Sequence, residues 1–150
     1  MTEKEKSEYH KKVEDSIRDF GYYSTFVFDE STPSFCYSTG IFKNYAIPEI
    51  FISSLPQNLS FEIINNYVNL FKTTKIILLN TKIENLVDRF PVILIDTPTI
   101  KLTNYVLTSL RFYKNDNFEY IQAVYPDTKG RFPNDEGYSY NQEIIGDLIY

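Results

Sequence analysis

The chain has 150 residues, the size of one domain, and is 43% apolar and 17% aromatic, which excludes global disorder and supplies enough side chain for a core without metal or disulfide. Net charge is −5, and residues 116–150 hold two basic against seven acidic side chains, so no basic stripe is available to neutralise phosphates and nucleic-acid binding is not expected. Cys36 is the single cysteine, which rules out an intramolecular disulfide.

In chain order, residues 1–7 are charged, lack the apolar centre of a signal peptide, and are expected to be disordered. Val13, Ile17 and Phe20 fall at helical spacing, predicting a helix over 8–20 that ends at Gly21. Residues 24–28 and 35–41 are rich in β-formers around the turn-forming Asp29-Glu30-Ser31-Thr32-Pro33, which predicts a hairpin. A short strand is expected over 49–53. The stripe Phe61, Ile64, Val68 and Phe71 predicts a helix over 60–72. Three strands are expected over 75–79, 83–87 and 91–95, a third helix over 102–113, a strand over 120–125 and an amphipathic end around 143–149. The longest strongly apolar run, Phe90–Ile95, is too short to cross a bilayer, so a cytoplasmic protein with no membrane role is expected. Strands in runs between single helices indicate one α+β domain: a mostly antiparallel sheet, open to barrel-like closure, with about three helices packed on it.

Most catalytic signatures are missing. The single histidine, His10, lies on the charged first helix, and one His with one Cys cannot build the usual zinc site, so neither metal nor cofactor is expected. The five glycines are far apart and form no phosphate loop. Dense polar chemistry occurs only over 125–137. There Asp127 and Gly130 stand at the first and fourth positions of a type I turn. A calcium loop starting at Asp127 is excluded, because Lys129 and Arg131 would occupy ligand positions. An anion-holding loop using Lys129 and Arg131 is the functional alternative to a plain turn.

Several short stretches are similar to a bacterial family described as domain of unknown function 4262. They are Phe20-Gly21-Tyr22, Phe35 to Ile41, Pro48-Glu49-Ile50, Leu55-Pro56, Phe112-Tyr113, Gln122, Tyr125-Pro126-Asp127 and Gly130 to Pro133, in family order across about residues 13–145. The resemblance implies a shared fold and an intracellular bacterial origin, and it transfers no activity. Tyr37, Gly40, Glu49, Gln122, Asp127, Gly130 and Arg131 are the residues that recur in the family pattern. Two departures stand out: Ile47 sits where the pattern carries histidine before Pro-Glu, and Asn134 where it carries tryptophan after Phe-Pro.

Two functions follow as expectations. The first is a non-enzymatic protein that binds another bacterial protein, immunity-like or accessory, from the acidic end, the abundant Tyr and the lack of a catalytic set. The alternative is an enzyme or small-ligand domain with an anion-accepting pocket built from Tyr37, Glu49, Gln122, Asp127 and Arg131, with Lys129 as a further candidate contact. A flavin-type split barrel is a weaker third reading that rests on strand content alone. Oligomeric state is left open.

Overall fold

A computed structural model describes residues 1–149. Helix α1 (Glu3–Phe20) starts in a capping box, with the Thr2 hydroxyl accepting from the Glu5 N–H and the Glu5 carboxylate accepting from the Thr2 N–H. Residues 3–7, placed outside the helix by the sequence reading, therefore form its first turns. Val13 and Ile17 are buried as expected, but Phe20, at the last position, is 79% exposed. Gly21 ends the helix at φ +103°, and a Cβ there would sit 2.0 Å from the Tyr45 hydroxyl.

The hairpin forms from β1 (Tyr23–Asp29) and β2 (Thr32–Thr39). A short helix follows that the sequence reading missed, α2 (Ile41–Tyr45); Ile41, taken as the end of a strand, is its first residue. Then come β3 (Glu49–Ser53), α3 (Gln57–Phe71), the two-residue β4 (Lys82–Ile83), β5 (Val92–Thr97), a 3-10 turn (Thr99–Leu102), α4 (Leu107–Tyr113) and β6 (Tyr120–Val124).

The sheet order is β1-β2-β3-β6-β5-β4. β3 and β6 run parallel and the other pairings are antiparallel, so the sheet is mixed. The parallel pair arises because the chain leaves β3, crosses through α3, β4, β5 and α4, and returns beside β3 in the same direction. β1 and β4 are free edges, so the sheet is open and the barrel-like expectation does not hold. Four α-helices, not three, accompany it among the described residues.

Two expected strands are corrected. Residues 75–79 pair with nothing as a strand, because Lys75 and Asn80 adopt left-handed φ of 59° at either end and Ile76 turns outward at 69% exposure. Of 83–87 only Ile83 pairs, together with Lys82 before it, and Leu86 and Val87 enter the core from a turn. The helix expected over 102–113 is broken at 103–105, where Thr103 and Asn104 are weak helix formers. The amphipathic end is neither helix nor strand; it runs as a strap over the sheet, with Ile144, Ile145 and Leu148 against it.

Strand alternation gives the sheet two buried faces. Ile50, Ile52, Leu94, Ile121 and Ala123 pack under α3, joined by Ile63, Ile64, Tyr67 and Val68. Ile47, just before Pro48-Glu49, is 1% exposed within this cluster. On the other face Tyr37, Phe51 and Tyr120 lie under α4 and the 3-10 turn, while Ile93, Ile95, Val124 and Phe132 lie under the strap. No helix of the described residues is long and apolar enough to cross a membrane.

Candidate functional site

Glu49 opens β3 and is fully buried. Its Oε1 accepts from the Ser38 hydroxyl (2.7 Å) and the Ile41 N–H (3.2 Å). Its Oε2 accepts from the N–H groups of Gly40 (2.8 Å) and Phe42 (3.1 Å) and from the Tyr113 hydroxyl. Ser38 Oγ and Tyr113 Oη each accept a main-chain N–H, from Ile50 and Lys43, so both hydroxyl protons point at the carboxylate. Burial raises the Glu49 carboxyl above its ordinary value, and the bonds from Tyr113, Ser38, Phe42 and Gly40 oppose that rise. Every contact is a donor to the carboxylate, so the bonds favour the charged form against the cost of burial. Gly40 has no side chain to cap α2, and Glu49 caps it from the start of the following strand, β3.

Tyr37 has the same role for α4. Its hydroxyl accepts the Thr108 N–H at 3.0 Å, in the first turn of a helix whose own N-cap residue, Val106, offers no side-chain cap. Beneath it Tyr120 donates to the Ser38 carbonyl (2.6 Å), and Ser109 bridges Tyr120 and Thr39. Gln122 holds the strap: Oε1 accepts from Ile145 (2.9 Å) and Gly146 (3.1 Å), and Nε2 donates to the Glu143 carbonyl (2.7 Å).

Asp127 organises the polar loop. The expected turn is present, with the Gly130 N–H donating to the Asp127 carbonyl at 3.0 Å. The carboxylate accepts at Oδ1 from Lys129 and Arg131 N–H, and at Oδ2 from Arg131 Nε (2.9 Å) and the Ser139 N–H and hydroxyl. Desolvation pushes this carboxyl up, but the bonds from Arg131, Ser139 and Lys129 outweigh it and hold it well below the usual carboxylate range. The Lys129 side chain is exposed.

Tyr37, Glu49, Gln122, Asp127 and Arg131 thus do not line one cleft. Asp127 and Arg131 meet as an ion pair, Glu49 is sealed within its donors, Tyr37 caps a helix and Gln122 ties down the strap. The reactive side chains are equally remote. Cys36 is buried with its thiol pushed up to about 12 by desolvation, and His10 is half-buried on α1. No group of three or more metal-ligating side chains comes together among the described residues.

A cleft of about 720 Å³ is drawn from segments 54–59, 89–91, 125–130 and 140–142. Phe90 and Tyr140 flank it, Tyr125 lies at its base with ring centroids 6.3 Å from each of them, and Pro56, Pro91 and Pro126 complete its walls. Asp127 lines it, but its oxygens are already taken. Arg89 and Asn141 line it with no side-chain hydrogen bond or ion pair to the described residues. So does Ser54, in a left-handed φ of 58°, whose buried hydroxyl has no partner among the described residues. The start of α3 borders the cleft at Pro56 and carries no side-chain cap.

Sequence reasoning did not single out Arg89, Tyr140 or Asn141. One signal was available: Leu55-Pro56, Phe90-Pro91 and Tyr125-Pro126, each an apolar residue followed by proline, all reach the cleft. Ile47-Pro48 and Phe132-Pro133 carry the same pattern elsewhere, so the pattern alone does not locate it.

The family model described as domain of unknown function (DUF4262) matches residues 16–139 of the chain. No curated protein and no solved structure matches it.

Proposed function

The chain belongs to this family of domains of unknown function, and we propose that it is a non-catalytic, cytoplasmic bacterial domain that binds another protein through the cleft beside the Asp127 loop. The observation that carries the reading is the character of that cleft. It is walled by rings and prolines and bears no free carboxylate, thiol or imidazole. Its volume lies within the roughly 300–1,000 Å³ of ligand clefts, and its aromatic and proline walls suit an extended segment of a partner, as in grooves that take proline-rich or extended peptides. An immunity-like or accessory role fits such a domain, because either acts by occupying a partner and not by turning over a substrate.

Capture experiments test this. The immobilised wild-type chain is compared with a cleft variant, Leu59→Arg with Tyr140→Ala, and with a control on the α1 surface, Lys11→Ala. The proposal expects a stoichiometric protein that wild type and Lys11→Ala retain and the cleft variant loses. Equal retention by all three would place the contact elsewhere.

A further inference from the structure

Resting on that reading, we infer that the segment entering the cleft carries a carboxylate, which Arg89 receives. The charge balance of the lining points this way. Two charged side chains line the cleft, and Asp127 is neutralised by Arg131 and by the N–H groups of its own loop. Arg89 has no such partner among the described residues, and its guanidinium presents planar paired donors that match a carboxylate.

The neighbouring polar groups reinforce the match. The Asn141 amide is an uncommitted donor on the same cleft, whereas the Gln142 amide is already engaged with Tyr125 and Tyr138. The cleft therefore offers unused donors and one unused positive charge. Phe90 and Tyr140 provide apolar surface for residues flanking the acid, and Arg89 can also stack on a ring. The occupant is thus an extended peptide with an Asp or Glu among proline or apolar residues. The net charge of −5 works against long-range attraction of such a segment, so selection is by contact within the cleft and not by steering.

Selection of random displayed octapeptides on the wild-type chain, on Arg89→Glu and on the Leu59→Arg, Tyr140→Ala variant tests this directly. Wild type is expected to enrich peptides containing Asp or Glu. Arg89→Glu should bind those peptides about 10- to 100-fold more weakly, the worth of one charge-assisted hydrogen-bonded contact, and should enrich Lys or Arg in their place. Peptides with no acidic preference that still require an open cleft would overturn the carboxylate inference and leave the binding reading standing. Recovery of no peptides, or of peptides indifferent to the blocked cleft, would overturn both, and would turn attention to a small-molecule occupant. Arg89 is exposed, so its substitution leaves the fold intact, which circular dichroism on each variant checks.

Discussion

Replacing Glu49 by glutamine puts an amide NH₂ where the chain has only donors. Oε1 faces the Ile41 N–H and Oε2 faces those of Gly40 and Phe42, so neither orientation of the amide escapes a clash of donors. The expected loss is about 3 kcal/mol of unfolding free energy, since hydrogen bonds to charged groups are worth ~1.5–3 kcal/mol each. Urea denaturation of Glu49→Gln against wild type measures it, and a change under about 0.5 kcal/mol, the range of ordinary surface substitutions, would contradict the capping role. Glu49 was singled out from the sequence, but its capping role was not legible there. Its donors come from a helix too short to show periodicity, Ile41–Tyr45, and from Tyr113, 64 residues away in the sequence. The same limit applies to Tyr37 and Gln122, which read as polar site residues until their partners across the fold are known.

Among the elements, the Asp127 loop was the most legible, because Asp and Gly at turn positions are local chemistry. Its carboxyl is held low by Arg131, Ser139 and Lys129, so its contribution to stability is complete above the ordinary carboxylate value, about pH 4, and is lost as pH falls toward the folded-state value. Asp127→Asn should therefore be less stable at pH 7 and should show a flatter decline below about pH 4. Urea midpoints from neutral to acid pH check this, and parallel curves for the two proteins would refute it. The strap over 143–149 was seen only as an amphipathic end, since its shape comes from Gln122 and from one close approach. A Cβ on Gly146 would lie 2.2 Å from Thr97 Oγ1 and 2.7 Å from the Asp96 carbonyl. Gly146→Ala should cost ~1–3 kcal/mol by overpacking and speed amide exchange of Ile145 and Asp147, leaving α3 protected. Unchanged exchange across the strap would mean that it does not lie where described. The strand wrongly expected over 75–79 shows the opposite failure: an apolar run with no alternation cannot be told from an exposed loop, and left-handed turns at Lys75 and Asn80 decide the matter.

At the scale of the whole molecule, the α+β class was legible from the run of elements, whereas the parallel β3–β6 pairing was not, because nothing local to either strand records which neighbour it meets. The same pairing separates framework from surface. Glu49 and Gln122 lie on adjacent parallel strands in the interior, and the cleft lies beyond them, where the chain turns at Leu55-Pro56, Phe90-Pro91 and Tyr125-Pro126. The central claim is that division: the buried polar residues hold the fold, and the cleft makes the contact. It is tested most directly by the affinity of folded Glu49→Gln for the partner captured by wild type, measured at a temperature where the variant remains native. The account predicts wild-type affinity within about twofold despite the lower stability, in contrast to the loss expected in the Leu59→Arg, Tyr140→Ala protein. A natively folded Glu49→Gln that no longer bound the partner would show that the buried carboxylate, and not the cleft, is the functional centre.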